Sequence, residues 1–433
     1  MQIGFISLGC PKNQVDTEIM MGALSKEHSI TQKLNEADVV VINTCGFIEA
    51  AKQEAIATIL DTAGKLSAEQ ILLVTGCLAE RYGGDLLQEM PEIDGLMGVG
   101  NPRRISELVA LVQSGNRPRL LEEQSNIFRE EGPRIISTPH GWAYLKIAEG
   151  CNNRCSYCAI PGIRGNLRCR GPQSILEEAH HLAEQGCREL VLVAQDTTAY
   201  QCDGYDLASL LAELNQIEGL EWIRVLYAHP QQLNTRIIEA LAGNHKVIPY
   251  LDLPIQHSDN DLLKSMNRHY NRDQLIKLIT QLRETLPGIV LRTTVMVGFP
   301  GESDAQFEVL KDFILATRFN WLGVFAYCQE EGTASAAMTD NIAPEIKHYR
   351  VHEIELLQQK ITTGWLKGML GTVQSVLLEA PWRNGIRGHA SFQAPEIDSK
   401  VLIPYTQSAQ YGSIVQVRMK KLRGVDLIGE IDI

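Results

Sequence analysis

The feature that most constrains the fold is an alternation of short apolar runs with longer amphipathic stretches, repeated along most of the chain. Short β-branched runs separated by helical segments are typical of parallel sheets. Between residues 142 and 327 there are six such runs, fewer than the eight strands that close a full barrel. We therefore predict an open, partial (β/α)6 barrel here. The six runs are "WAYLKIA", "ELVLVAQ", "WIRVLYA", "PYLDLPI", "IVLRTTVMV" and "WLGVFAY".

The N-terminal part shows the same alternation, and three of its strand-like runs end in cysteine. They are "IGFISLGC", "DVVVINTC" and "ILLVTGC", which end at Cys10, Cys45 and Cys77. In open parallel sheets, ligands bind beyond the carboxyl ends of the strands. A lone cysteine is more often a small buried hydrophobe, but three at equivalent positions argue against that interpretation. We expect a parallel α/β domain that brings these three cysteines to one edge.

A third region begins near Leu370 and consists of short strand-like runs broken by glycine and proline turns. That pattern predicts a small antiparallel β barrel, OB-like or related. A helix over residues 344–365 connects it to the central region. A chain of 433 residues exceeds one average domain. The resulting prediction is an α/β multidomain protein with boundaries 1–115, 137–367 and 369–433.

A cysteine triplet lies in "EGCNNRCSYCAIPGIRG", with the spacing C-x3-C-x2-C at Cys151, Cys155 and Cys158. A structural zinc ion takes four protein ligands and a disulfide takes two. Three thiolates can instead hold three irons of a 4Fe–4S cluster and leave the fourth iron open. A zinc knuckle would need a further ligand. No histidine lies within ten residues of Cys158, and Cys169 is the nearest spare cysteine.

Composition and charge limit the classes of function. Hydrophobic residues make up 44% and charged residues 21%, a globular balance. The net charge of −12 favours a basic or small partner. It argues against a protein whose only role is to bind nucleic acid, which would usually be basic. No window approaches the roughly 18 consecutive apolar residues of a membrane span, and "MQIGFISLGC" lacks the basic start of a signal peptide. We predict a cytoplasmic protein without a membrane partner, in which clustered cysteines bind metal.

The triplet, with Tyr157 before its last cysteine, is similar to the motif of the radical S-adenosylmethionine superfamily. Nearly all of the chain resembles the methylthiotransferase family. The resemblance implies an N-terminal domain with an auxiliary cluster, a radical S-adenosylmethionine partial barrel and a C-terminal TRAM barrel. The similar segments are "SLGCPKN", "INTCGFIEAAKQEAI", "YLKIAEGCNNRCSYCAIPGIRG", "YLDLPIQHSDNDLLKSMNR", "RTTVMVGFPGES" and "GVFAYCQEEGT".

The family resemblance also implies cofactors and an activity. Two 4Fe–4S clusters are expected: the triplet cysteines would hold the radical-generating one, and Cys10, Cys45 and Cys77 the sulfur-delivering one. One S-adenosylmethionine would methylate the sulfur, and a second would be cleaved to a radical that takes hydrogen from the substrate carbon. The implied partners are a substrate, an electron donor and a sulfur source.

The substrate prediction is finer. "LGCPKN", "NTCGFIEAAKQEAI" and "APEIDSKVLI" look most like the branch of the family that modifies the β-carbon of an aspartate in a small-subunit ribosomal protein. From Thr372 onward there are seven Lys and Arg against six Asp and Glu, hardly a nucleic-acid footprint. Contact with the ribosome is expected. The alternatives are a tRNA adenosine methylthiotransferase and a non-catalytic iron–sulfur protein that binds RNA.

Other cofactor contacts are predicted at Tyr157, Gln195 and Gly298. Gln195 closes the second barrel strand, where the superfamily often binds the methionine amino group. Gly298 lies in "VGFPGE" after a strand, where glycine permits close approach of the backbone to the adenosine. A polar loop residue or an ordinary tight turn would look the same. No catalytic residue beyond the cysteines is assigned.

Two further groups of polar residues have an open role. A satisfied structural histidine is the preferred interpretation of His257. The basic run Arg164, Arg168 and Arg170 after the triplet either contacts carboxylate groups of the cofactor or substrate or faces solvent. Cys169 stands where family members usually have serine, which leaves the predicted cluster ligands untouched.

Overall fold

A computed structural model describes residues 1–121, 127–129, 131–383, 385–404 and 410–432. By its internal contacts the chain divides into two compact units. The first unit consists of Met1–Ser137, Ala148–Cys169 and Glu330–Ala336. The second unit consists of Thr138–Ile147, Arg170–Gln329 and Ala337–Ile433. The first unit therefore includes two segments from the predicted central domain, and the boundaries 1–115, 137–367 and 369–433 stay a prediction.

The sheet of the first unit has six strands in the order β2-β1-β3-β4-β5-β6, and every neighbouring pair is parallel. Its strands are β1 (Gln2–Ser7), β2 (Ser29–Thr31), β3 (Val39–Thr44), β4 (Ile71–Gly76), β5 (Gly95–Met97) and β6 (Arg119–Leu120). Its helices are α1 (Pro11–Leu24), α2 (Glu49–Ala63), α3 (Cys77–Glu89) and α4 (Ile105–Gln113).

Helices cover both faces of this sheet. Val40 and Ile42 of β3 pack into a core with α2 and α3, whereas Val39 and Val41 pack into a core with α1 and α4. Side chains alternate between the faces of a strand, so a strand buried on both faces is apolar throughout. The strand order reverses between β1 and β3. In such sheets the crevice for a ligand opens at the carboxyl ends of the strands at this point.

The remaining elements run from Trp142 to Ile431. In chain order they are β7 (Trp142–Lys146), β8 (Ala148–Glu149), α5 (Ile160–Ile163), β9 (Arg168–Cys169), α6 (Pro172–Glu184), β10 (Glu189–Val193), β11 (Gln201–Cys202), β12 (Tyr205–Asp206), α7 (Leu207–Leu214), β13 (Trp222–Val225), α8 (Thr235–Gly243), β14 (Val247–Asp252), α9 (Asn260–Ser265), α10 (Arg272–Thr285), β15 (Val290–Val297), α11 (Asp304–Thr317), β16 (Trp321–Ala326), α12 (Pro344–Lys367), β17 (Val373–Trp382), β18 (Gly385–Ala390), β19 (Val401–Pro404), β20 (Ile414–Arg423) and β21 (Asp426–Ile431).

The main sheet of the second unit has the order β16-β15-β14-β13-β10-β7 and is parallel throughout. Its six strands are those predicted from the six apolar runs. The first and last strands of the series lie at opposite edges of the described sheet, which is therefore open. The partial (β/α)6 barrel is confirmed.

The C-terminal strands form a closed barrel in the order β17-β18-β19-β21-β20. Four neighbouring pairs are antiparallel, and the pair β19–β21 is parallel. A closed ring of five strands cannot alternate in direction all the way round, so one parallel pair is unavoidable. The predicted small barrel is confirmed with that addition. Separately, none of the helices in the described ranges is long and apolar enough to cross a membrane.

A buried ion cluster joins the C-terminal barrel to the parallel sheet within the second unit. His389 of β18 bonds Glu189 of β10 at 2.5 Å through Nε2 and Glu379 of β17 at 2.6 Å through Nδ1. Arg224 of β13 donates to the other oxygen of Glu189 at 2.7 Å. Burial would lower the pKa of His389, but the two carboxylates outweigh it and raise that pKa. Burial would raise the pKa values of both glutamates, but Arg224 and His389 lower the pKa of Glu189, and His389 and Lys400 that of Glu379.

These shifts make the second unit sensitive to pH. The raised pKa of His389 contributes stability fully below about pH 6.5, its unfolded value, and this stability is lost as the pH rises through the folded pKa. The lowered pKa values of the glutamates contribute above about pH 4.3 and are lost as the pH falls through their folded values. All five tryptophans lie in the second unit. We expect urea unfolding followed by tryptophan fluorescence to show less stability as the pH rises above about 6.5.

The variant that checks this dependence is His389→Gln, which removes the titrating group. It should lose most of the decline in stability on the alkaline side. His181→Gln changes an exposed histidine on α6 and should keep the decline. Equal slopes in His389→Gln and the unchanged chain would contradict the role of the ion cluster.

Candidate metal centres

The three N-terminal cysteines lie beyond the carboxyl ends of three neighbouring strands. Cys10 follows β1 and caps the N-terminus of α1, Cys45 directly follows β3, and Cys77 follows β4 as the first residue of α3. The structure thus places all three at the edge that the sequence predicts. Cys10 and Cys45 flank the point between β1 and β3 where the strand order reverses.

Two glycines let the cysteine-bearing loops approach each other. Gly9 has a φ of +90°, and a Cβ there would lie 2.7 Å from the Cβ and 3.2 Å from the Sγ of Cys45. A Cβ on Gly46 would lie 2.8 Å from the backbone of Leu78. A larger residue at either position would push one cysteine loop away from another. The sequences "LGC" and "CGF" therefore serve close packing at this edge.

The surroundings of the three cysteines favour the thiolate form to different degrees. Burial would raise the pKa of Cys10, but the charges of Lys12 and Arg164 and two backbone N–H groups outweigh it and lower that pKa. Burial raises the pKa of Cys45, partly offset by the N–H of Phe47. Burial also raises the pKa of Cys77, to about 12. The charge of Arg164 opposes this rise, whereas the thiolates of Cys10 and Cys45 add to it. The three sulfurs are thus close enough to repel one another when ionised.

Such a set fits a cluster of irons, because metal binding displaces thiol protons and compensates the crowded negative charge. In the described ranges, no three or more Cys, His, Asp or Glu side chains are grouped as for one metal ion. A 4Fe–4S cluster binds each cysteine to a different iron, so its ligands stand apart by the width of the cluster. Three cysteine sulfurs are a ligand set that fits such a cluster, and the nearby N–H donors and guanidinium would stabilise their negative charge.

The cysteine triplet lies in a loop over residues 150–167, here called the triplet loop. The short antiparallel pair β8–β9 closes its base, with Glu149 opposite Arg168. The N–H of Cys151 donates to Gly165 O at 3.1 Å, and that of Cys158 to Cys155 O at 3.1 Å. These bonds fold the loop back on itself.

The triplet loop and the N-terminal cysteines belong to the same unit. Cys77 packs in one buried cluster with Ala159 and Ile163, which lie in the triplet loop just after its last cysteine. Ser156 O accepts a hydrogen bond from the N–H of Ser335 at 2.7 Å. The first unit therefore holds both sets of three cysteines, together with a segment from near residue 330.

All three arginines of the basic run are buried, so none of them faces solvent. Arg164 binds carboxylates of the first unit and the sulfur of Cys77. Arg168 donates to the backbone oxygen of Arg164 at 2.8 Å and so supports its loop. Arg170, in the second unit, binds Glu178 of α6. Arg164 and Arg170 therefore bind carboxylates of the protein itself. Contact of the basic run with carboxylates of a cofactor or substrate stays a prediction.

A second ion cluster of the first unit was not anticipated from sequence. Glu330 is buried, and one of its oxygens lies 3.2 Å from Lys52 Nζ of α2 and 3.2 Å from Arg81 Nη1 of α3. Arg81 also donates to Glu331 O at 2.9 Å. The signal was present in the charged residues of "EAAKQ", "CLAERY" and "CQEEGT". Spacing along the chain does not reveal that these segments meet.

Removing the carboxylate of Glu330 should destabilise the first unit. Glu330→Ala leaves two cations without their shared partner, and breaking a buried pair in this way costs about 3 kcal/mol. Thermal unfolding followed by circular dichroism should show a lower midpoint, while the tryptophan signal of the second unit should change less. Glu331→Ala, at the exposed neighbour, is the matched control and should stay near the unchanged chain. An equal effect of both variants would contradict the assignment.

The predicted cofactor contacts are distributed over the two units. Tyr157 is half-buried in the triplet loop of the first unit. Gln195 follows β10 and Gly298 follows β15, both in the second unit. The Gly298 N–H donates to the carboxylate of Glu302, so that amide is engaged within its own loop. The three contacts stay predictions.

His257 has the surroundings of a structural histidine. It is fully buried, and its Nδ1 accepts the N–H of Asp259 at 2.9 Å. Its Nε2 lies 3.4 Å from Glu302 Oε1. Both ring nitrogens thus face partners within the second unit, in line with the structural interpretation.

The acidic residues of the "APEID" turn, Glu396 and Asp398, contact side chains within the second unit. Asp398 accepts a hydrogen bond from the Tyr250 hydroxyl at 2.7 Å, and Arg292 Nε lies 3.4 Å from its other oxygen. Its side chain is 3% exposed. Glu396 accepts from the Tyr144 hydroxyl at 3.4 Å. Asp398 therefore anchors the C-terminal barrel and is not available to a basic partner.

Family models match three parts of the chain. The N-terminal part matches the model described as "Uncharacterized protein family UPF0004" over residues 2–98. The central part matches the Radical SAM superfamily over residues 145–314. The C-terminal part matches the TRAM domain over residues 370–431.

Similar proteins cover almost the whole chain. The "Ribosomal protein uS12 methylthiotransferase RimO" of Syntrophomonas wolfei is 46% identical over 440 residues, covering 99% of this chain and 100% of that protein. A Clostridium perfringens protein of the same name is 44% identical and covers 99% and 98%. Among solved structures, the radical S-adenosylmethionine methyltransferase TsrM from Kitasatospora setae has a TM-score of 0.57 at 14% identity, covering 75% and 74%. That likeness shows a shared fold.

Proposed function

Because the chain belongs to the RimO family of radical S-adenosylmethionine methylthiotransferases, we propose that it attaches a methylthio group to an aspartate β-carbon of ribosomal protein uS12. The enzyme transfers sulfur-containing groups. The observation that carries the proposal is the sequence identity of 46%, over 99% of this chain, to a protein named for this reaction. The presence of two cysteine triplets in one compact unit supports it.

The proposed cofactors are S-adenosylmethionine and two 4Fe–4S clusters. Cys151, Cys155 and Cys158 would hold one cluster, and the N-terminal cysteines the other. When bound, these groups would supply an open iron that binds S-adenosylmethionine, the electron that cleaves it, and a second open iron that carries the sulfur. An electron donor and a sulfur source are further proposed partners.

The contribution of the protein is to fix these ligands and exclude water from them. Cys77 and Cys151 are 4% and 8% exposed, so both sites begin in protected surroundings. Backbone N–H groups of Lys12, Asn13 and Phe47 face the thiolates of Cys10 and Cys45. Preformed donors stabilise negative charge at sulfur without reorganisation, and a shielded site protects a radical from solvent.

The partner chemistry follows from charge. A net charge of −12 complements a basic ribosomal protein and favours encounter with it. Asp398 is occupied within the second unit, so the attraction must come from other acidic residues. We further propose that the TRAM barrel contacts the ribosome and that the protein acts in the cytoplasm.

The test is mass spectrometry after anaerobic reconstitution with iron, sulfide, S-adenosylmethionine and reductant. Purified uS12 and unmodified tRNA are offered in separate reactions. We expect a methylthio mass gain on one aspartate of uS12 and no gain on tRNA. A gain on tRNA alone would overturn the substrate while keeping the reaction. No gain on either, with S-adenosylmethionine left intact, would overturn the reaction itself.

A further inference from the structure

The side chain of Arg164 is a buried cation beside the N-terminal cysteines. It is 2% exposed and comes from the triplet loop, six residues after Cys158. Its Nε donates to the Sγ of Cys77 at 3.3 Å. A residue of the loop that carries one cysteine set thus contacts a sulfur of the other set.

The guanidinium of Arg164 cannot turn away from that sulfur. Its Nη1 donates to Glu149 at 2.5 Å and to Asp16 at 3.2 Å. Its Nη2 donates to Asp16 at 3.3 Å and to Asn13. With the bond to Cys77, all five N–H groups of the arginine are used, which fixes the plane and direction of the fork.

The surroundings make this bond electrostatically strong. Glu149 and Asn13 are fully buried, and Asp16 is 8% exposed. Two carboxylates around one guanidinium leave the pocket negative even before any thiolate is counted. Arg164 is therefore the group that limits the build-up of negative charge beside Cys77. In a poorly solvated site, each charge and each hydrogen bond acts more strongly than in water.

We infer that Arg164 sets the reduction potential of the cluster held by the N-terminal cysteines, through its N–H···S bond to Cys77 and its charge. The inference rests on the proposed function, because it requires a cluster at that site. Hydrogen bonds to ligand sulfurs and nearby charge are established determinants of cluster potentials. A positive donor stabilises the reduced, more negative state. Arg164 acts here as a positioning and tuning residue.

The test isolates the N-terminal site. In a chain carrying Cys151→Ala, Cys155→Ala and Cys158→Ala, iron can bind only at Cys10, Cys45 and Cys77. Iron and sulfide are assayed after anaerobic reconstitution, and a potentiometric titration is followed by electron paramagnetic resonance. Arg164→Gln should reduce the ratio of reduced to oxidised cluster at a fixed potential about tenfold, equivalent to 59 mV for one electron. Arg164→Lys keeps the charge but loses the planar fork of N–H donors, so its ratio should lie between those of the parent chain and Arg164→Gln.

Two comparisons separate this effect from general damage. Arg134→Gln removes another buried guanidinium of the first unit, one paired with Glu18, and should titrate like the parent. Because Arg164→Gln leaves two buried acids with less compensation, its fold is at risk. Glu149→Gln and Glu149→Gln/Arg164→Gln therefore form a second pair with one fewer buried acid. The double variant should titrate at a lower potential than Glu149→Gln alone.

The outcomes distinguish the inference from the proposed function. If the parent chain binds no iron at the N-terminal site, the two-cluster proposal fails. If the parent binds a cluster, but neither Arg164→Gln nor Glu149→Gln/Arg164→Gln differs from its reference chain in potential or resonance spectrum, the inference fails and the proposed function stands. A shift of the same size in Arg134→Gln would also overturn the inference.

Discussion

Cys155→Ala should abolish cleavage of S-adenosylmethionine while the N-terminal site keeps its iron. Two thiolates cannot hold a 4Fe–4S cluster with one open iron in the triplet loop, so the site that binds the cofactor is lost. Product 5′-deoxyadenosine, measured under anaerobic reducing conditions, should fall to the level of the iron-free chain. Bound iron should fall by about half, because one of the two clusters is removed.

The matched control for this variant is Cys202→Ala. Cys202 lies in the β11–β12 hairpin of the second unit, outside both cysteine sets. Its loss should leave both iron content and cleavage unchanged. Persistent cleavage in Cys155→Ala would show that the triplet loop does not hold the radical-generating cluster.

Cys77→Ala should separate the two uses of S-adenosylmethionine. We expect 5′-deoxyadenosine to form still, because the triplet cysteines are untouched, whereas the methylthio gain on uS12 should disappear. The reason is that Cys10 and Cys45 alone cannot hold the sulfur-delivering cluster. Mass spectrometry of uS12 and chromatography of the nucleoside products measure the two activities in one reaction.

Cys169→Ala is the control for that experiment, since Cys169 lies in the first unit at the base of the triplet loop. It should retain both activities. A methylthio product in Cys77→Ala would show that the N-terminal cysteines do not deliver sulfur. Loss of cleavage together with transfer would show that Cys77 supports the triplet loop, which contacts it through Ala159 and Ile163.

Much of the second unit follows from periodicity. Strands β7, β10 and β13 are buried throughout, and such strands leave nearly continuous apolar runs in the sequence. Helices such as α10 also have clear signals, for example the capping box of Asn271 and Gln274. The positions of Cys10, Cys45 and Cys77 at one edge were predictable for the same reason: each directly ends a strong strand signal.

Helix α1 shows what such patterns do not reveal. Five of its buried residues are polar, among them Asn13, Asp16 and Glu18, so it lacks the apolar stripe that marks a helix in a sequence. Their partners are far along the chain. Asn13 and Asp16 bind Arg164, and Glu18 binds Arg134. Burial of these groups is favourable only because of partners that a local window does not contain.

The grouping of the triplet loop with the N-terminal domain could not be predicted for the same reason: it depends on contacts between segments far apart in the sequence. Composition changes near residue 115 indicate a linker, which is a statement about chain continuity. The contacts that define the first unit join segments more than a hundred residues apart. The buried ion pairs of Arg164 and Glu330 that link these segments depend on three-dimensional proximity.

The composition of the first unit also has a consequence for biosynthesis. A chain leaves the ribosome from its N-terminus, so the loops bearing Cys10, Cys45 and Cys77 emerge long before Arg164 and Glu330. At roughly 5–20 residues per second, the wait between the synthesis of Cys77 and that of Ala336 is on the order of ten to fifty seconds. For the first part of that interval, until Arg164 is made, Asp16 lacks its cation and Cys77 lacks its hydrogen-bond donor. If the N-terminal cysteines hold a cluster as proposed, its assembly belongs after translation of the central region. A fragment ending near residue 137 is then a poor substitute for the whole chain in studies of cluster assembly.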